Sequence, residues 1–209
     1  MTRGVVVIQE AFGVTPHILD VVSRFEAEGY QAVAPDLYHG RVFAHDDSFD
    51  EIRPVMSALT GEGILADVDA AVASLGLAPS HVAIVGFCMG GTVALYAGAM
   101  RELGAAVSFY GGGVTEPRWP GVPALMELAP GLRTPWLGLY GDRDKGIPVS
   151  QVEDLRRAAA LAPVPTRLER FEDAGHAFFN DARPASYHQP SAERAWPMVL
   201  AWLRQNLPD

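Results

Sequence analysis

Gly86-Phe87-Cys88-Met89-Gly90-Gly91 follows directly on the apolar run His81-Val82-Ala83-Ile84-Val85, and no other stretch limits the fold as much. The spacing is Gly-x-nucleophile-x-Gly at the end of a buried strand, with a thiol at its centre. A strand that turns sharply into a helix leaves no room for side chains at the flanking positions, so glycine must occupy them. The central residue is then held in a strained conformation, with its side chain projecting above the sheet. The helix that follows, from Gly90 to about Leu103, aims its N-terminal N–H groups at the same spot. Such groups lower a thiol's pKa and hold an oxyanion. The plainer alternative makes Cys88 a small core residue, as free cysteine often is. The strand before it and the glycines around it weigh against that.

The rest of the chain alternates apolar β-branched runs with helical periodicity, the signature of a parallel sheet built from βα units. Val5-Val6-Val7-Ile8 reads as a continuous buried strand. Thr15-Pro16 reads as N-cap and first residue of a helix that puts Ile18, Val21, Val22 and Phe25 on one face. Gly29 stops it, and Gln31 to Ala34 is a short strand. Leu37 to about Asp50 lacks periodicity and is expected as a loop. Helical segments follow at about 51–59 and 62–75. Beyond the elbow come a strand over Ala105–Phe109, a Gly/Pro-rich loop from Gly111 to Arg133, and a strand over Trp136–Tyr140. Ser150-x-x-Glu153 reads as a capping box for a helix reaching about Leu161. Thr166–Phe171 is the last strand, and Ala192–Asn206 the last helix, with Pro197 either kinking it or marking its start. No repeat, low-complexity tract or second core is visible, so one domain over 1–209 is expected.

Composition narrows the function classes. A hydrophobic fraction of 49% with 20% charged residues is that of an ordinary globular chain. The net charge of −9, with no Lys/Arg cluster, argues against a nucleic-acid partner. A single cysteine allows no intrachain disulfide and fits a reducing compartment. No apolar h-region opens the chain and no run approaches a membrane span, so a cytoplasmic protein without a membrane partner is expected.

A nucleophilic thiol needs a base, and the base needs an orienting group. Of six histidines, His176 in Asp173-Ala174-Gly175-His176-Ala177-Phe178 lies just past the last strand, where it can reach the strand ends that hold Cys88. His17 sits in a helix's first turn and His81 at the opposite end of the sheet, while His39, His45 and His188 sit in loops and are expected to face solvent. Gly141-Asp142-Arg143-Asp144 offers two acids. Asp144 lies further out over the strand end and is favoured; Asp142 is expected to brace the turn through backbone N–H groups. His39 and His45 with Asp46 and Asp47 mimic a metal-ligand set, but loop histidines six apart without a regular scaffold rarely form one. No metal and no cofactor is expected.

With these residues in order, the chain resembles the dienelactone hydrolase family of α/β-hydrolases over nearly its whole length. The resemblance is carried by Val5 to Gly13, Ala34-Pro35-Asp36-Leu37-Tyr38, the cysteine elbow, Gly141 to Pro148, and Ala174 to Phe178. It implies an α/β-hydrolase fold: a mostly parallel central sheet flanked by helices on both faces. It also implies Cys88 as nucleophile, Asp144 as acid and His176 as base. By the same resemblance, Glu10 contacts the thiol in the resting enzyme and governs when it ionises. The residues give Glu10 a reason of their own, since a carboxylate beside an apolar elbow needs a partner; a salt bridge to a nearby arginine is the plainer alternative. The backbone N–H groups of Met89 and Ala11 are expected to form the oxyanion hole.

Two departures bear on what carries over. The chain begins almost at the first core strand, so the N-terminal hairpin common in the family is expected either to be missing or to have been trimmed from the sequence. Where family members acting on dienelactone place an arginine after the histidine, this chain has Phe178-Phe179-Asn180-Asp181. Arg53 is a candidate contact, with Arg41 behind it, Asn180 as a neutral donor and Tyr110 lining the far side. On that basis a dienelactone-like anion is expected to be bound weakly, with less charged esters preferred. The leading function is hydrolysis of a small carboxylic ester, with cyclic and anionic esters such as a dienelactone among the candidates, through an acyl-thiol intermediate and without cofactor. The alternatives are a broader esterase or thioesterase with the same residues, and a ligand-binding relative without turnover. A monomer is compatible with the sequence.

Overall fold

Five consecutive buried residues make Gly4–Ile8 (β1) a strand with apolar contacts on both faces. It lies inside a parallel sheet, the setting in which a strand needs no polar side. The structure is a computed structural model describing residues 2–44 and 48–208. Around β1 it assembles β2 (Gln31–Val33), β3 (Val82–Phe87), β4 (Ala105–Phe109), β5 (Trp136–Gly141) and β6 (Thr166–Phe171). Their order is β2-β1-β3-β4-β5-β6, and all five pairings are parallel. β3 therefore lies at the centre, and the elbow after it emerges in the middle of the C-terminal edge. In open α/β sheets that edge is where ligands bind.

The alternation of side chains along the strands divides the core in two. Val6, Ile8, Ile84 and Ala106 face α3 (Gly61–Ser74), α4 (Met89–Met100) and α6 (Val149–Ala159). Val5, Val7, Val85 and Val107 face α1 (Pro16–Ala27) and α7 (Gln189–Asn206). Helices thus cover both faces, as expected. Thr15 is the N-cap of α1 with Pro16 behind it, although its hydroxyl makes no cap bond. α2 (Phe49–Ser57) begins at Ser48, whose side chain accepts from the Asp50 N–H.

Three local expectations are corrected. The stretch from Gly111 to Arg133 is not all loop, because α5 (Leu125–Leu128) and a following 3₁₀ turn bury Leu125 and Ala129 against the core. Ser150 caps nothing: α6 starts one residue earlier with Pro148 at its N-cap, and Glu153 turns to Arg156 and Arg170 instead. α7 starts at Gln189 and runs through Pro197, which leaves one helical carbonyl without its usual donor. That loss, about 3 kcal/mol in an exposed helix, is offset here by burying Val199, Leu200, Trp202 and Leu203. No helix among the described residues is long and apolar enough to cross a membrane.

Candidate active site

β3 delivers Cys88 in a backbone conformation of φ 55°, ψ −113°. An L-residue holds such a geometry only where its surroundings impose it, at about 1–3 kcal/mol. The Cys88 N–H donates to the Phe109 carbonyl at 3.0 Å, and the Cys88 carbonyl accepts from the Gly91 N–H at 3.0 Å as α4 begins. The glycines permit the contact. A Cβ on Gly86 would overlap the Gly90 carbonyl, and one on Gly90 would lie 2.6 Å from the Gln9 carbonyl oxygen. The elbow therefore abuts the end of β1, the strand that leads into Ala11. Neither the Met89 nor the Ala11 N–H group is taken up by a turn or loop acceptor among the described residues. Strain recurs at the neighbouring strand ends, with positive φ at Tyr110 after β4 and at Ala177 after β6.

The loop after β6 brings His176 over the elbow, and the loop after β5 brings Asp144 behind it. His176 Nε2 lies 3.1 Å from Cys88 Sγ, and His176 Nδ1 lies 2.6 Å from Asp144 Oδ2. Asp144 is buried, and its other oxygen accepts from the Gly146 N–H at 2.8 Å. Both carboxylate oxygens are thus engaged, which fixes the imidazole's plane. The His176 side chain is 38% exposed, enough for water to reach it.

Burial pushes the Cys88 thiol up, but the adjacent His176 outweighs it and holds the thiol below its ordinary range; Glu10 acts against the histidine and Arg118 with it. Burial likewise opposes charge on His176, and the facing thiolate and Asp144 overcome it, raising the imidazole above its usual value. The pair favours thiolate and imidazolium together.

Glu10 is buried, and an unpartnered carboxylate there would cost several kcal/mol. Asn180 Nδ2 donates to Glu10 Oε2 at 2.6 Å, and the Tyr110 hydroxyl donates to Oε1 at 3.4 Å. Neither an arginine nor the thiol takes this place: the thiol's hydrogen-bond partner is His176. Behind this group, Asp181 receives His17 Nδ1 at 3.2 Å and the Arg24 guanidinium, tying the histidine loop to α1. Burial and Arg24 keep His17 below its ordinary pKa despite nearby Glu10 and Asp181.

Several expected contacts lie elsewhere. Tyr110 and Asn180 are fully buried, so they support Glu10 instead of offering donors to a ligand. Arg53 sits on α2 with a side chain 62% exposed, paired to Asp50 and stacked over Phe49, and nothing joins it to Cys88. Arg41 is exposed on the loop after Tyr38. Asp142 braces its turn through a side chain and not through backbone N–H groups: Arg170 of β6 grips both oxygens at 2.7 Å. His39 pairs with Asp67 at 3.8 Å, while His45, Asp46 and Asp47 lie outside the described residues. Among the described residues no group of three His, Cys, Asp or Glu could hold a metal ion.

One residue at the site escaped the sequence. Arg118, in the aperiodic loop after β4, lines a cleft of about 430 Å³ together with Arg143, Lys145, Asp144 and His176. The only signal for it was the Gly112-Gly113 pair, on which its side chain lies.

A parallel sheet wrapped by helices, with a nucleophile elbow after its central strand, is the α/β-hydrolase fold. The profile of the family described as "Dienelactone hydrolase family" matches residues 1–207. The chain is 39% identical over 214 residues to a protein of Escherichia coli K12 provisionally named carboxymethylenebutenolidase, covering 96% of this chain and 76% of that one. A protein of Methylorubrum extorquens with the same provisional name is 36% identical over 210 residues, covering 96% and 71%. The crystal structure of a protein provisionally named dienelactone hydrolase from Klebsiella pneumoniae superposes with a TM-score of 0.90 at 35% identity, covering 98% of this chain and 87% of that one. The chain belongs to the dienelactone hydrolase family, and it is an ester-hydrolysing enzyme of that type.

Proposed function

We propose that the protein hydrolyses small carboxylic esters through an acyl-thiol intermediate on Cys88. The observation that carries this reading is the unbroken chain from Sγ to Nε2 at 3.1 Å and from Nδ1 to Oδ2 at 2.6 Å, set on a strained elbow. The Cys88 thiolate attacks the ester carbonyl, and the Met89 and Ala11 N–H groups receive the developing oxyanion. As the tetrahedral species collapses, the bond to the alcohol oxygen breaks and the His176 imidazolium gives that oxygen its proton. Water then attacks the acyl-thiol carbonyl while His176 Nε2 takes a proton from it, and the carbon–sulfur bond breaks to return the thiolate. Asp144 keeps Nδ1 protonated and stabilises the imidazolium in both halves. A ligand-binding relative without turnover would leave this proton path unused.

The test is hydrolysis of dienelactone and of 4-nitrophenyl acetate, butyrate and octanoate by the purified protein, before and after iodoacetamide. Turnover of at least one short ester that is lost in step with Cys88 alkylation is the expected result. Undiminished hydrolysis by fully alkylated protein would remove the mechanism.

The ion pair has its own signature. An unperturbed thiol ionises near pH 8.5, so its alkylation fades below about pH 7.5. Because His176 holds the Cys88 pKa down, the thiolate persists below that range, and iodoacetamide should still modify the protein readily near pH 6.5. In His176→Gln the imidazolium is gone while burial and Glu10 still push the thiol up. Alkylation at pH 7 should then slow by about tenfold or more. Equal rates in both proteins across pH 6–9 would show that no such pair forms.

A further inference from the structure

We propose that His17 is a positioning residue that acts on Cys88 through Glu10: the buried imidazole and carboxylate hold one proton between them, so that Glu10 faces the thiol without net charge. This rests on the thiol chemistry of the reading above, and its test reads the thiol without any ester.

The first observation is a buried nitrogen with nothing to bond. The His17 side chain has no exposure, and its Nδ1 lies 3.2 Å from Asp181 Oδ1. Burial opposes charge on Asp181, but the Arg24 guanidinium outweighs it and holds that carboxyl below its usual range. An ionised carboxylate only accepts, so Nδ1 carries the ring's hydrogen and Nε2 is left as an acceptor. No group among the described residues donates to it.

The second is a buried carboxylate short of a donor. Glu10 Oε2 takes the Asn180 Nδ2 at 2.6 Å, but Oε1 has only the Tyr110 hydroxyl at 3.4 Å, near the limit of a hydrogen bond. The Asn180 amide cannot turn to serve both oxygens, because its own Oδ1 accepts from the Ala182 N–H at 3.1 Å.

The third is their placement. Consecutive residues of one loop hold the two groups, Asn180 on Glu10 and Asp181 on His17. The Phe87 ring is flanked by both sides of the arrangement, its centroid 6.3 Å from that of His17 and 6.4 Å from that of Tyr110. Three charged groups act on the imidazole: Glu10 after β1, Asp181 after β6 and Arg24 on its own helix. Glu10 acts most strongly, ahead of the hydrogen-bonded Asp181. With Nδ1 taken, Nε2 is the nitrogen left for it. Two buried acceptors set against each other are unfavourable, and one proton between them satisfies both and cancels the charge.

The consequence falls on the thiol. A charged Glu10 works against His176 there, making Cys88 harder to ionise. While the pair holds its proton that opposition is absent. As pH rises and the proton leaves for solvent, the opposition returns.

The experiment measures Cys88 alkylation by iodoacetamide from about pH 4.5 to 9 in wild type, Glu10→Gln and His17→Gln. Glu10→Gln has the charge of the protonated pair at every pH, its amide donating to Nε2 in place of the shared proton. His17→Gln offers Glu10 a permanent N–H donor that does not titrate, so the carboxylate keeps its charge. The alkylation midpoint of His17→Gln should lie about one pH unit above that of Glu10→Gln. Wild type should follow Glu10→Gln at the low end and move toward His17→Gln as the pair loses its proton. The ¹⁵N resonance of His17 Nε2 should shift with pH alongside that movement in wild type and stay fixed in Glu10→Gln. Coincident midpoints in all three proteins, or a wild-type curve that matches His17→Gln from the low end upward, overturn the assignment. Should His17→Gln not fold, the Nε2 resonance decides: a shift in wild type that Glu10→Gln abolishes sustains the shared proton, and the same behaviour in both proteins ends it.

Discussion

Cys88→Ala is expected to lose about 10⁵–10⁶-fold in kcat on any ester the wild type hydrolyses, while keeping its fold. The size of the loss follows from the step removed. Without sulfur no acyl-enzyme forms, and only the His176–Asp144 pair and the proposed oxyanion donors at Met89 and Ala11 remain to assist direct attack by water. The small stability effect follows from the position. Cys88 is only half-buried, and the features that hold its backbone are the Phe109 carbonyl, the Gly91 N–H and the glycine contacts, none of which involves the side chain. A melting temperature within about 4 °C of wild type is therefore expected, equivalent to ~1 kcal/mol or less in a chain of this size. Cys88→Ser sharpens the test. A hydroxyl is far less acidic than a thiol, so the thiolate–imidazolium ground state is lost and each attack needs His176 to remove a proton. Activity well below wild type, yet above Cys88→Ala, is the expected order. Hydrolysis by Cys88→Ala at the wild-type rate, with a matching melting curve, would leave no role for the elbow.

What could be read from the sequence was what several local constraints fixed at once. The elbow is legible because a buried strand, two glycines and a helix start must coincide within a few residues. His176 and Asp144 were legible through chain order, since loops after later strands of a parallel sheet return to the same edge. The sheet itself followed from the uninterrupted apolar runs of β1, β3 and β4. The misses share a different cause. Arg53 looked available because a sequence shows a cation but not the Asp50 and Phe49 that hold it. Tyr110 and Asn180 looked like ligand contacts because both lie near the site, and only their burial against Glu10 shows what they support. Ser150 and Glu153 had the spacing of a capping box, but tertiary pairing to Arg170 on β6 outcompeted the local bond. Arg118 carries no periodicity and no motif. Its place depends on a glycine ledge that exists only once β4 and α4 are packed.

Asp144→Asn and Asp142→Asn, two residues apart, should fail in opposite ways. Asp144→Asn keeps the side chain's size and its bond from the Gly146 N–H, so the loop after β5 should retain its shape. It removes the charge that faces His176 Nδ1 at 2.6 Å and substitutes a group that can donate to that nitrogen. The imidazole then loses both the counter-charge for its imidazolium and the tautomer that leaves Nε2 free to accept. In the serine enzymes that use the same relay, this change costs about 10⁴-fold in kcat, and a loss of that order is expected here as the upper limit. The thiolate can form without a general base, so part of the first half-reaction should survive and the acyl-enzyme should accumulate. Asp142→Asn removes one charge of a two-pronged pair with Arg170, whose guanidinium also reaches Glu153 at 2.9 Å. Both groups are partly buried, and the expected cost is about 1–2 kcal/mol of stability with turnover nearly intact. Measuring kcat and chemical denaturation for each variant separates the two. Loss of turnover in Asp142→Asn at unchanged stability, with Asp144→Asn active, would exchange the roles of the two carboxylates.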